Sequence, residues 1–215
     1  MLTPLPHIRP SETVILANGA FPSHEVPRRI LHFAKRVICC DGAIENLLKN
    51  GIEPAAIVGD LDSISDEHRV RFSGILHQDG DQEINDLTKA VSFCRGKNWG
   101  GVSILGATGK REDHTLGNMS LLVDYINESF DIQMITDHGV INAIKFSSVF
   151  ESFAGQQVSF FRCSKAMDVT TENLKYPLQK SPLAALWMGT LNEAMGASFA
   201  LHFTKGSLLV FREHR

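Results

Sequence analysis

Several acidic residues follow directly on short apolar runs. Asp41 and Gly42 come after Arg-Val-Ile-Cys-Cys (36–40), and Asp60 and Asp62 come after Ala-Ala-Ile-Val (55–58). Carboxylates gathered in one crevice repel one another and stay ionised only beside cations. Magnesium takes a few carboxylates together with phosphate oxygens and water, so Asp41, Asp60 and Asp62 suit a metal–nucleotide complex. Zinc fits poorly, because no Cys/His ligand spacing accompanies the aspartates. A single Asp after a strand is more often a turn or N-cap residue. Two of them, two positions apart and followed by Ser63 rather than a basic partner, favour ligands over turn residues. Asp66 and Glu67 read instead as first-turn helix residues.

Two further segments carry polar chemistry. In Asp-Gly-Asp-Gln-Glu-Ile-Asn-Asp-Leu-Thr-Lys (79–89), Asp86 opens a helix and Lys89 faces the same side one turn on. This is either a capped surface helix with an ordinary ion pair or, at a strand–helix junction, a metal ligand beside a phosphate-binding lysine. In Ile-Leu-Gly-Ala-Thr-Gly-Lys-Arg-Glu-Asp-His-Thr-Leu-Gly-Asn (104–118), Gly106 and Gly109 allow close backbone approach to a ligand. Lys110 and Arg111 bring positive charge suited to phosphates. Arg111 stands where a P-loop needs Ser or Thr, and the glycine spacing is not that of a dinucleotide fingerprint. A tight loop near a ligand and a plain turn both remain open. His114 is an acid/base candidate, although a hydrogen-bonded structural histidine is the commoner case. Asn18-Gly19 either lines the same crevice or makes a simple turn, and Cys39-Cys40 reads as packing within a strand.

The elements that must position these groups follow from periodicity. Strands are expected over 13–19, 36–42, 55–60 and 131–137, a strand with its loop over 101–109, and helices over 27–35, 43–51, 86–99 and 116–129, with Gly51 in the C′ position. Such alternation implies an α/β N-terminal domain over 1–137, a mostly parallel sheet covered by helices, with ligands outside the carboxyl ends of its strands. After about residue 138 the pattern becomes strand-like over 141–153, 156–164, 168–178, 197–205 and 207–213. This implies a smaller all-β C-terminal sandwich domain over 138–215.

Composition sets the outer limits. The 215 residues are 43% hydrophobic and 21% charged with formal net charge −3, ordinary for a globular protein. Without a basic run or bias, neither nucleic acid nor an acidic membrane surface is expected as a partner. Residues 1–12 lack the pattern of a secretory leader, and no stretch reaches the roughly 18 apolar residues of a membrane span. Four cysteines without metal or disulfide spacing read as reduced thiols, which places the protein in the cytoplasm.

Taken in order, Leu-Ala-Asn-Gly-Ala-Phe-Pro (16–22), the segment 40–65 around Asp41, Asp60 and Asp62, Asp81–Val91, the glycine segment 105–122 and Leu-Lys-Tyr-Pro-Leu (174–178) resemble the thiamin pyrophosphokinase family. The resemblance spans most of the chain. It implies an α/β catalytic domain, a β-sandwich and a homodimer with thiamin bound between subunits. It implies that Asp41, Asp60, Asp62 and Asp86 form a magnesium site with Gln82 and Lys89 nearby, and that Arg111 and Asp113 match the family's Arg-x-Asp. Carried onto matching positions, substrate contacts fall on Asn18, Asp41, Gln82, Gly106, Thr108, Gly109, Arg111, His114, Asn118, Tyr176 and Asn192. The catalytic group is Asp62, Lys89, Arg111 and Asp113. One departure stands out: Gly-Thr-Leu-Asn-Glu (189–193) keeps Gly189, Asn192 and Glu193 but has Leu191 where the family's bacterial members usually have serine, in the thiamin-lining segment.

The implied reaction is attack of the thiamin hydroxyl on the β-phosphorus of ATP, giving thiamin diphosphate and AMP, with Mg²⁺ as the metal. Two rival readings share these residues. Clustered aspartates also serve phosphohydrolases and nucleotidyltransferases, and a non-catalytic thiamin- or nucleotide-binding protein could use the same scaffold.

Overall fold

The computed structural model describes residues 2–3, 12–163 and 167–215, so positions 1 and 4–11 of the N-terminal reading over 1–12 and Ser164 of the run 156–164 lie outside the described residues. After a two-residue strand β1 (Leu2–Thr3), strands and helices alternate: β2 (Thr13–Leu16), α1 (Glu25–His32), β3 (Arg36–Cys40), α2 (Ile44–Lys49), β4 (Ala56–Gly59), α3 (Asp66–Arg71), β5 (Leu76–Gln78), α4 (Asp86–Gly96), β6 (Val102–Leu105), α5 (Glu112–Asn127) and β7 (Ile132–Ile135). Only strands and a short 3-10 turn follow: β8 (Gly139–Ile144), β9 (Ser148–Glu151), β10 (Gln157–Arg162), β11 (Asp168–Glu172), β12 (Ser181–Pro182), β13 (Asn192–Glu193), β14 (Ser198–His202) and β15 (Leu208–Glu213). The chain divides into two compact units, one of Pro10–Leu121 with Phe130–Asp137, the other of Met1–Arg9, Leu122–Ser129 and His138–Arg215.

In the first unit, strands run parallel in the order β7-β6-β2-β3-β4-β5. Every residue of β2, β4 and β6 is buried, as expected for a parallel sheet covered on both faces. The helices begin where short polar side chains take up free backbone donors. The Ser65 hydroxyl accepts from His68 N at 3.3 Å ahead of α3, and Asn85 Oδ1 accepts from Thr88 N at 2.8 Å ahead of α4. Winding outward from β2 to β5 and then returning to β6 on the other side of β2 creates a switch point. Two neighbouring connections diverge there and leave a crevice outside the carboxyl ends of the strands. The helix expected over 116–129 starts four residues earlier, at Glu112. Glu112 and Asp113 then occupy its first turn, where negative charge suits the helix dipole, so Asp113 and His114 belong to a helix rather than a loop.

The second unit carries the sheet β1-β9-β14-β11-β12 and the antiparallel strands β8-β15-β10-β13. Both sets feed one core, in which Phe150, Phe199 and Leu201 of the first meet Val158, Phe160, Leu208 and Val210 of the second. The Phe150 and Phe199 rings stack with centroids 5.1 Å apart. The run 141–153, read from sequence as one extended segment, breaks into β8, which pairs with β15, and β9, which pairs with β14. The Ser147 hydroxyl fixes the corner by donating to Phe203 O at 3.0 Å. Arg212 of β15 is fully buried, donating to the carbonyls of Thr3 (3.1 Å) and Glu151 (2.8 Å) and to Asn142 Oδ1 (3.0 Å).

Candidate active site

A cavity of about 590 Å³ opens at the switch point. Its walls come from strand ends and the helices that follow them: Asn18 and Gly19 after β2, Cys40 closing β3, Asp60 after β4, Gln82 ahead of α4 and Asp86 and Lys89 in its first turn, and Thr108, Lys110, Arg111, His114 and Asn118 after β6. Segments far apart in sequence therefore share one crevice, as the parallel sheet requires. A second cavity of about 460 Å³ against α1 holds none of these residues.

Asp41, Asp60 and Asp62 each bring a carboxylate oxygen within 4.8 Å of the others, the one such metal-sized cluster among the described residues. Asp41 is buried, and its oxygens accept from Gly42 N at 2.6 Å and Leu61 N at 2.9 Å. Burial, followed by the charge of Asp86, pushes its carboxyl up to about 6 against those donors. Asp60 is held below its usual range, chiefly by the N–H of Asp62 at 3.1 Å, with the Gln82 side chain contributing. Between them Leu61 adopts φ +66°, a left-handed conformation that costs a non-glycine residue roughly 1–2 kcal/mol. Its buried side chain, its N–H on Asp41 and its carbonyl, which accepts from the Arg69 guanidinium, hold the turn. Three hard oxygen donors, with one carboxyl raised by burial and then by like charge, suit a divalent cation. Asp86 stands beside this set: its carboxylate takes an ion pair from the nearly buried Lys89 Nζ at 3.3 Å, while its charge still reaches Asp41.

The opposite wall is basic and glycine-rich. The loops after β2 and β6 are stitched by Ala17 N to Leu105 O (2.9 Å), Gly19 N to Gly106 O (2.5 Å) and Ala20 N to Thr108 O (2.7 Å). A Cβ on Gly19 would lie 2.3 Å from Gly106 O, so only glycine permits this approach. Asn118 Nδ2 donates to Ala107 O at 2.9 Å, which makes it a brace of the glycine loop, and Lys110 Nζ donates to Asn18 Oδ1 at 3.1 Å. The Arg111 guanidinium donates to Asp113 through Nε (3.1 Å) and Nη2, and this contact holds the Asp113 carboxyl well below the usual carboxylate range. His114 donates its backbone N–H to Asp113 Oδ1 at 2.8 Å.

Of the residues singled out from sequence, the cavity gathers Asn18, Asp60, Gln82, Asp86, Lys89, Thr108, Arg111, His114 and Asn118 among its lining. Asp41 and Asp62 join Asp60 in the acidic cluster. Gly106 (φ +64°) and Gly109 (φ +89°) shape the loop. Tyr176 and Asn192 belong to the sandwich unit, where Asn192 Oδ1 accepts from Tyr176 N (3.1 Å) and its Nδ2 donates to Tyr176 O (2.8 Å). Sequence reasoning missed Asn85, which caps α4 and lines the cavity; its signal was a cap-type residue just ahead of a helical pattern. It also read Cys40 only as packing, although the residue reaches the cavity wall.

Residues 27–134 match the catalytic domain of thiamin pyrophosphokinase, and residues 139–211 match the substrate-binding domain of the same enzymes. The thiamine pyrophosphokinase of Bacillus subtilis (strain 168) is 27% identical over 180 residues, which cover 80% of this chain and 84% of the relative. The fold is also that of two solved structures. The Bacillus subtilis enzyme has a TM-score of 0.78 at 24% identity, covering 94% of this chain and 98% of that one. A family protein from Enterococcus faecalis has a TM-score of 0.80 at 20% identity, covering 95% and 100%. The matched catalytic segment contains all four strand-end aspartates and the substrate-binding segment contains the sandwich strands, so sequence, fold and cavity agree: the chain belongs to the thiamin pyrophosphokinase family.

Proposed function

We propose that this chain transfers the diphosphate of ATP to the hydroxyl of thiamin, releasing AMP and thiamin diphosphate. The observation that carries this reading is that the Asp41–Asp60–Asp62 cluster reaches, through Asp60, the cavity at the sheet's switch point that Lys89, Lys110 and Arg111 also line. Asp41, Asp60 and Asp62, with Asp86 alongside, would hold Mg²⁺, whose contribution when bound is to offset the charge of the phosphate oxygens. Lys89, presented by α4, and Arg111 stabilise charge on the transferring group and on AMP. Asn18, Thr108 and the glycine loop position the nucleotide, and transfer of this kind depends mainly on positioning and electrostatics. Asp113 is committed to the Arg111 guanidinium, which leaves the exposed Asp62 carboxylate as the acceptor of the hydroxyl proton.

Residues 1–137 form the catalytic domain in this reading, and residues 138–215 contribute thiamin binding and dimerisation. The exposed Tyr176 ring, on a backbone held by Asn192, offers an aromatic face to a cationic ring. Tyr176, Leu186, Trp187, Met188, Leu191 and Met195 are all exposed within twenty residues of one another, which supports a surface covered in a homodimer. All four cysteines are free thiols and no helix among the described residues is long and apolar enough to cross a membrane, in keeping with a cytoplasmic enzyme. Incubation with Mg²⁺, ATP and thiamin, with mass detection of products, tests the reading. Thiamin-dependent AMP and thiamin diphosphate are expected, and Asp62→Asn should abolish both. ADP or thiamin-independent phosphate release would indicate a phosphohydrolase or nucleotidyltransferase, and binding without product a non-catalytic protein.

A further inference from the structure

The segment 17–24 connects β2 to α1, and its first residues, Ala17 to Gly19, form one wall of the cavity. Near the cavity it is stitched to residues 105–108 by the three backbone hydrogen bonds already described. At its far end one side chain takes up several of its donors. The carboxylate of Asp137, just beyond β7, accepts from Ser23 N at 2.9 and 3.1 Å to its two oxygens, from His24 N at 3.1 Å, and from the Ser23 hydroxyl. His24 is the N-cap of α1, so the carboxylate sits where backbone donors are free and negative charge is favoured. Partial burial works to raise its pKa, but the Ser23 and His24 donors outweigh it and hold the group below its ordinary value. It is therefore an anion throughout the physiological range.

Between this clamp and the cavity lie few residues, and Pro22 among them is buried with its φ fixed by its ring. Displacement at Ser23 is passed back through Pro22 to the Ala20–Thr108 bond, and from there to Gly19, Asn18 and the Lys110 ammonium bonded to Asn18. Gly19 has little room to absorb it, because its N–H is bonded to Gly106 O at 2.5 Å and its α-carbon faces the backbone of Gly106 and Thr108 so closely that a Cβ would not fit. From this geometry we infer that Asp137 is a positioning residue for the nucleotide: by fixing Ser23 and His24 it sets where Asn18, Gly19 and Lys110 meet ATP, without touching ATP itself. The inference rests on the reading of the cavity as the ATP site.

The test compares Asp137→Ala and Asp137→Asn with the full-length wild type by calorimetric titration with Mg²⁺–ATP, steady-state kinetics and thermal melting. Asp137→Ala should raise Kd and KM for ATP by about tenfold, the effect of losing roughly one charge-assisted interaction, with KM for thiamin changed by less than about twofold. Asp137→Asn, which keeps one acceptor oxygen, should fall between. If Asp137→Ala does not fold, Asp137→Asn and Ser23→Ala carry the comparison, the latter deleting the hydroxyl donor while keeping both N–H groups. An unchanged Kd for ATP in the folded variants, whatever their melting temperature, reduces Asp137 to a helix cap and overturns the inference. Wild type that binds no ATP overturns the reading of the cavity itself, and the inference with it.

Discussion

Gly59→Ala puts a single methyl group against the acidic cluster. Gly59 ends β4 with its α-carbon facing the Asp41 carboxylate, and an added Cβ would lie 2.7 Å from Cγ, 2.9 Å from Oδ2 and 3.0 Å from Oδ1 of that residue. Ordinary carbon contacts begin near 3.5 Å, so the carboxylate must retreat by roughly 0.8 Å. Both of its oxygens are already engaged, by Gly42 N at 2.6 Å and Leu61 N at 2.9 Å, and retreat stretches one of these bonds beyond useful length. A hydrogen bond to a charged group contributes about 1.5–3 kcal/mol, which for a chain of this size lowers the melting temperature by about 3–12 °C. The functional loss should be larger, since ligands must be held within about 0.5 Å of their working positions. Magnesium titrations of AMP formation should show the half-saturating concentration raised by about 10–100-fold, with the ATP and thiamin constants at saturating metal nearly unchanged. A Gly59→Ala protein with wild-type magnesium dependence and a lowered melting temperature would show that Asp41 does not belong to the metal site.

Three other outcomes are expected. Because burial, Asp86 and Asp60 raise the folded Asp41 carboxyl to about 6, above the roughly 3.9 of an unfolded chain, the folded state binds this proton more tightly. Its contribution to the stability of metal-free protein is therefore lost as pH rises from about 4 to 6, and the melting-temperature gain from added Mg²⁺ should grow across that window; a gain independent of pH would refute the site. Arg212→Ala should cost about 3–5 kcal/mol in chemical denaturation by leaving two carbonyls and the Asn142 amide oxygen without their shared donor, and a loss under about 1 kcal/mol would contradict the buried role assigned to it. Tyr176→Ala should raise KM for thiamin more than KM for ATP, and the reverse ordering, read from initial rates, would remove Tyr176 from the thiamin site.

Much of the site was legible because parallel α/β sheets deliver strand ends to a common edge. Asp41, Asp60 and Gly106 could each be placed beyond an apolar run before any coordinates, and the alternation of elements fixed which edge they share. The existence and order of the strands were also legible, since β2, β4 and β6 are buried throughout and appear in the sequence as largely apolar runs, although β2 ends earlier than the expected 13–19 and β6 fills only part of 101–109. The sandwich was harder. An extended segment such as 141–153 has the same period whether it lies in one sheet or turns a corner between two, and only its pairing with β15 and then β14 separates the cases.

By itself, the sequence determined which residue types are available, in what order they come, and that the strand ends carry carboxylates and glycines. The tertiary structure decided which of them act together. It set Asp41 within 4.8 Å of Asp60 and Asp62 and tied Asp137 to Ser23 across 114 positions of chain, whereas the Asp86–Lys89 pair, three positions apart on one helix, was already legible in the sequence. The reason is physical: periodicity records which face of an element is buried, but a carboxylate's partners are set by distances of a few ångströms between segments whose separation in sequence carries no trace of them.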